Sequence, residues 1–290
     1  MSDVTPTLLR RRLGAIVKTM RVRTGLNLAD ASKLLGMSGP TLSKIENGRQ
    51  RPELEKFFAA YEVTDAARIA ETTEIAKLAD SARQRSIFAK YKDVIRPQFA
   101  DFIELEEIAT RTDAYAALVI PGLLQTAEYA HAVIDGGSVW STPRDVRNFV
   151  ELRMRRQEVL AVAPGGDAAR PPLFLRCVLD EACLRRAMGG TEILRAQLEH
   201  LLAVSNEPNV ELQVLPFKAG AHTGMDGGYT VFHFDVGDPV VAVEPLTNSL
   251  YLDEDVRVQR YTNAFDHLRA QALDPDASRR FITGIAKETL

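Results

Sequence analysis

The chain has 290 residues, 46% of them hydrophobic, a formal net charge of −3 and only two cysteines. That is enough apolar material for two ordinary cores, and too few cysteines for a disulfide framework; Cys177 and Cys183 read as reduced thiols. No basic stretch followed by an apolar run opens the chain. The longest apolar segment, Ala114–Leu124, is broken by Pro121 and Gly122. Neither a secretion signal nor a membrane span is expected, which predicts a cytoplasmic protein.

Local signals are densest over Leu28–Gly48. Leu28, Ala31, Leu34 and Leu35 recur at helical spacing and predict one short apolar face, and Gly36 stands where a helix stops in the left-handed conformation. Ser38 can cap a new helix. Pro40 falls in its first turn, where a missing N–H costs nothing. Leu42 and Ile45 predict its buried stripe and leave Thr41, Ser43 and Lys44 toward solvent. Two helices across a short turn, the second polar on its outer face, have the shape of a major-groove reader.

From Met20 to Pro52 the sequence resembles the Xre (Cro/cI-type) repressor head. The residues that carry the likeness are Met20-Arg21-Val22-Arg23-Thr24-Gly25-Leu26, Leu34-Leu35-Gly36, Thr41-Leu42-Ser43 and Ile45-Glu46-Asn47-Gly48. The resemblance implies a lambda-repressor-like all-α fold and a structural ion pair between Arg21 and Glu46. It implies DNA contacts from Ser38, Gly39, Pro40, Thr41, Ser43, Lys44 and Asn47, and homodimers on two-fold operator sites. Gly39 and Pro40 depart from many relatives, because neither has a side chain able to make a bidentate hydrogen bond to a base. Direct readout should therefore rest on Thr41 and Lys44, with more left to DNA shape.

Charge is divided unevenly. Residues 1–60 hold eleven Lys or Arg against five acids, a balance of +6, so the remainder carries −9. A basic head on an acidic body is the asymmetry expected when only one end meets phosphate. Arg49 and Arg51, just past the second helix, are candidates for backbone contacts that fix register.

Farther along, Glu53–Tyr61 reads as a helix that completes the head's core, giving a domain over residues 1–62. Thr64 is expected to cap a long helix from Asp65 to Tyr91, a helical link over 63–96 that packs. Residues 97–290 then read as an α+β domain with a small sheet late in the sequence. Its expected elements are a helix over Phe99–Ala109, a short buried segment over Tyr115–Ile120 and a helix after Thr126. A helix starting at Thr142-Pro143 and a loop over Ala163–Pro172 follow. Strands are expected over Leu173–Leu179, Val210–Pro216, Tyr229–Phe234 and Val240–Glu244, with helices over Thr191–Ser205, Asp255–Ala272 and Asp276–Lys287.

Leu118–Ala130 (LVIPGLLQTAEYA), Arg153–Glu158, the Gly220–Tyr229 loop and Val240–Pro245 with Tyr251-Leu252 resemble a WhiJ-like, antitoxin-like actinomycete regulator domain of unknown function. The likeness spans essentially residues 97–288. It implies no chemistry, but it implies a small neighbour-encoded partner protein or a ligand to be sensed.

Other constellations are weaker. Ala219–Tyr229 (AGAHTGMDGGY) reads either as a pocket loop, with His222 and Asp226 facing an effector or partner, or as a long hairpin connection whose glycines supply positive φ. The five histidines are scattered and the two cysteines lie six apart, so no metal, and no other cofactor, is expected. No serine or cysteine has a nucleophile's setting, and catalysis is not expected. Glu104, Glu106 and Glu107 read as a solvated acidic face. The arginine-rich helix from Pro143 reads as structural, or as a second nucleic-acid surface. Together these readings predict a DNA-binding transcription regulator whose second domain dimerises or senses a small protein or ligand. An antitoxin-like module that neutralises a small protein and autoregulates its operon is the alternative.

Overall fold

A computed structural model describes residues 7–85, 91, 97–137, 142–161, 171–235, 237–244 and 249–288. The chain divides into two compact units, Met1–Ser86 and Ile87–Leu290.

The first unit is all helical: α1 (Leu8–Arg23), α2 (Leu28–Leu34), α3 (Gly39–Glu46), α4 (Leu54–Ala60) and α5 (Ala66–Arg85). Leu9, Leu13, Val17 and Met20 are buried along α1 at helical spacing, and Val17 and Met20 meet Ala31, Leu35, Leu42, Ile45, Phe57 and Phe58. Leu34, expected in the apolar face of α2, is 56% exposed. Ala31 and Leu35 lie one turn apart and fix the buried direction, and Leu34 lies about 100° round the helix from Leu35. Asp65, not Thr64, caps α5: its Oδ1 accepts from the N–H groups of Ala67 and Arg68 at 3.0 and 3.3 Å. The helix packs within this unit, where Ile75 and Ala76 bury against Leu13 of α1. Most of residues 86–96, the far end of the expected link, lie outside the described residues.

The second unit is α+β, built on a six-stranded mixed sheet: β1 (Arg111–Ala116), β2 (Phe174–Asp180), β3 (Val210–Leu215), β4 (Tyr229–His233), β5 (Val240–Val243) and β6 (Leu250–Leu252). The strand order is β3-β2-β1-β4-β5-β6; β1, β2 and β3 are parallel and the rest antiparallel. The helices are α6 (Pro97–Ile108), α7 (Ala127–Gly137), α8 (Pro143–Arg156), α9 (Glu181–Arg185), α10 (Thr191–Val204), α11 (Asp255–Gln271) and α12 (Pro275–Glu288). The parallel pairs need long crossovers, and α7 with α8, then α9 with α10, supply them. One sheet face packs Tyr115, Val178, Val231 and Val241 on Val258, Phe265 and Leu268 of α11. The other meets α6, where Phe102 stands edge-on to Phe232 with centroids 5.1 Å apart. Thr126 Oγ1 accepts from Tyr129 N at 3.2 Å, and Thr142 and Asp145 close a capping box on α8.

The sheet thus begins earlier than the sequence suggested, at Arg111 rather than Leu173. In β1 the buried Asp113 is held by two arginines and a histidine. Arg176 Nε donates to its Oδ1 at 2.6 Å, His233 Nε2 lies 2.8 Å from its Oδ2, and Arg111 Nε lies 3.4 Å away. Glu104 and Glu106 are also buried, not solvated. Glu106 is covered because it receives both arms of the buried Arg156, at 2.7 and 2.9 Å. The loop expected over Ala163–Pro172 falls mainly outside the described residues.

Candidate nucleic-acid interface

The turn between α2 and α3 is set by its caps. Asn27 Oδ1 accepts from Asp30 N at 2.9 Å to open α2. The helix closes with Gly36 at φ +58° and Met37 N donating to Ser32 O at 3.0 Å. Ser38 Oγ accepts from Thr41 N at 3.2 Å, and Pro40 sits in the first turn of α3. At the far end Gly48 takes φ +71° and Arg49 N donates to Lys44 O at 2.8 Å, the same closing motif that ends α2.

Leu42 and Ile45 are buried under α3, while Ser38, Pro40, Lys44 and Asn47 are exposed and Gly39, Thr41 and Ser43 are half-buried. Ser38, Thr41 and Asn47 already spend hydrogen bonds within the helix. The hydroxyls of Thr41 and Ser38 are 2.8 Å apart, and Asn47 Nδ2 donates to Ser43 O at 2.7 Å. Arg49 and Arg51 are exposed beyond the helix, and Arg51 Nη1 lies 2.8 Å from Asp80 Oδ2 of α5.

Arg21 joins three segments. Its Nε and Nη2 donate to the two carboxylate oxygens of Glu46 at 2.6 and 3.0 Å, and Nη1 donates to Leu26 O at 2.8 Å. The fork-to-fork pair is nearly buried, and the Glu46 hydrogen bond pushes the Arg21 pKa up against the opposing effect of burial. Glu46 therefore spends its charge inside the head.

In the second unit, His222 and Asp226 are not brought together by a hydrogen bond or ion pair. His222 Nδ1 accepts from Gly224 N at 3.1 Å, its Nε2 stands 3.8 Å from Asp180 Oδ2, and its ring meets Tyr115 edge-on. Asp226 is exposed. Their loop is not a hairpin, because β3 and β4 are separated in the sheet by β2 and β1. Its glycines divide: Gly220 and Gly227 supply positive φ, at +71° and +117°, while Gly224 serves close approach, since a Cβ there would fall 2.2 Å from the Tyr115 ring. Both cysteines are buried and free, and burial pushes the Cys183 thiol up to about 12.

The polar design that sequence reasoning missed lies around residues 120–126. Gln125 Nε2 donates to Ile120 O at 2.6 Å. Gln197 Nε2 donates to Leu124 O at 2.6 Å, and its Oε1 accepts from Thr126 N at 2.7 Å. Gln157 Nε2 reaches both Gly122 O and Gln125 O, at 2.9 and 2.7 Å. Arg153 Nη1 donates to Gln125 Oε1 at 2.9 Å. Gln125 and Arg153 lie inside phrases already prominent in the sequence, but their partners are visible only in the fold.

Capped helices across a glycine turn, with the second exposing its polar side, define a helix-turn-helix protein, and residues 12–71 match a helix-turn-helix domain. Such a domain is a DNA-binding module and supports a regulator rather than an enzyme. Residues 99–284, well over half of the chain, match the family described as Domain of unknown function (DUF5753), and the chain belongs to that family. No curated protein and no solved structure matches the chain. Among the described residues no helix is long and apolar enough to cross a membrane.

Proposed function

We propose that the chain is a sequence-specific transcription regulator that lays α3 in the major groove of double-stranded operator DNA. The observation that carries this reading is the division of α3: Leu42, Ile45 and the neutralised Glu46 face inward, and Pro40, Lys44 and Asn47 face out. Thr41 and Lys44 carry direct readout, since Gly39 and Pro40 have nothing to offer a base edge. Ser38, Ser43 and Asn47 lie beside the backbone, and Arg49 and Arg51 reach phosphates. One recognition helix buries little surface, so the reading includes a homodimer on half-sites one helical turn apart. The second unit provides the dimer contact and an effector site.

Selection of bound duplexes from random DNA with the full chain tests the reading. An enriched two-fold site supports it, and the absence of any enriched sequence overturns it. On that site, Lys44→Ala is expected to cost about 1–3 kcal/mol and relax preference at one position per half-site. An unchanged affinity and footprint would remove Lys44 from base readout.

A further inference from the structure

The second unit contains a half-open cleft of about 430 Å³, within the usual range for small-molecule sites. Interiors otherwise pack to near-crystalline density, so a hollow of this size needs a cause. The cause is on the sheet. Ala114, Thr230 and Ala242 stand in one row across β1, β4 and β5, and with Ala116 they lay a floor of small side chains. Phe102 and Tyr229 are among the walls. The position is also telling: β1 is the strand at which the sheet changes from parallel to antiparallel, and the cleft opens past its carboxyl end. Open α/β sheets take their ligands in crevices past the carboxyl ends of their strands.

Charge in the cleft is unbalanced locally. Arg156 is neutralised by the fork of Glu106. Arg153, one turn away on α8, makes its hydrogen bond to the neutral amide of Gln125, and among the described residues no carboxylate lies within ion-pair distance of it. Burial lowers its pKa to about 10, which still leaves the guanidinium charged at neutral pH. Arg153 is half-buried and has no contact anion, so its charge is incompletely compensated, and a ligand's anion is the natural partner. Glu244, also on the cleft, acts on both arginines through longer-range attraction.

We infer that this cleft binds a small amphipathic carboxylate, its flat apolar body over the alanine floor and its carboxylate on the Arg153 guanidinium. The inference deepens the effector-site reading and rests on it for its role in regulation. Binding is measured without DNA, so its failure leaves the operator test standing, and failure of the operator test leaves the cleft's chemistry standing.

The experiment is calorimetric titration of the full chain with 2-naphthoate, its neutral amide and 2-naphthylmethylammonium. One naphthoate per chain is expected to bind about tenfold or more tighter than either analogue, the size of one charge-assisted pair. Arg153→Gln should bring naphthoate to the level of the amide, and Arg153→Lys should keep part of the preference. Glu244→Gln, which removes a like charge, should tighten naphthoate. Equal binding of naphthoate and amide by the unaltered protein overturns the proposal, as does no binding of naphthoate, or a preference that survives Arg153→Gln. Should Arg153→Gln fail to fold, Ala242→Leu fills the floor instead: lost naphthoate binding with an intact unfolding transition supports the site, and unaltered binding overturns it.

Discussion

Gly14 and Gly48 lie against each other where α1 crosses the end of α3, so closely that a Cβ built on Gly14 falls 2.8 Å from the Gly48 nitrogen and 2.7 Å from the carbonyl oxygens of Ile45 and Glu46. These are backbone atoms and cannot swing aside. Gly14→Ala is therefore expected to destabilise the first unit by about 1–3 kcal/mol despite alanine's better helix propensity. Denaturant unfolding, with hydrogen exchange on α1 and α3, reads this directly. Unchanged or increased stability would mean that the two helices do not approach this closely.

The Arg21–Glu46 pair should behave as a buried unit. Arg21→Met strands a carboxylate that is only 8% exposed, at an expected cost of about 3–5 kcal/mol. The double change Arg21→Met, Glu46→Leu should recover much of that loss. Additive losses in the four-member cycle would show that the pair is not coupled.

Legibility followed locality. The turn and α3 were readable because Gly36, Ser38, Pro40 and Gly48 act within a few residues of where they stand. β1 was not, because Arg111 and Asp113 look like surface residues until Arg176 and His233 arrive from strands far along the chain. Glu106 was misread as solvated for the same reason, since Arg156 answers it from another helix. Gly14 did leave a trace: a glycine inside a helix carries an entropic cost, and a close backbone approach is one reason to bear it. The cleft left none, because an alanine floor becomes visible only when strand order is known.

The exposed Arg51 is tethered to the half-buried Asp80. Asp80→Asn should change stability by less than about 1 kcal/mol, yet raise affinity for non-specific duplex as it frees a cation for phosphate. Arg49→Ala should weaken binding to all sequences alike and lower the salt slope by about one counterion. Titrations at several salt concentrations distinguish these outcomes, and an Arg49→Ala defect confined to the specific site would contradict a phosphate role.

Asp113 gives the second unit an acid limit. Burial alone would raise its pKa, but the hydrogen bonds from His233 and Arg176 outweigh it and leave it lowered. A carboxylate lowered in the fold stabilises it at pH values above its unfolded pKa of about 4, and the contribution fades as pH falls through the lower folded value. Thermal unfolding of the second unit should weaken below about pH 4. Asp113→Asn should be less stable at pH 7 and show a shallower loss in acid; parallel pH profiles for the two proteins would refute the assignment.

The loop over residues 120–126 is held by Gln125, Gln157 and Gln197, all neutral amides bonded to backbone carbonyls. None of these groups gains or loses a proton in the physiological range, and none is screened by salt as an ion pair is. That side of the cleft is in effect a non-titrating mould, which keeps its contour while acidity or ionic strength changes. Whatever responsiveness the cavity has is then left to the charges around it, Arg156, Glu244 and Arg153, the last of which also anchors Gln125 and so ties charge to contour at one point.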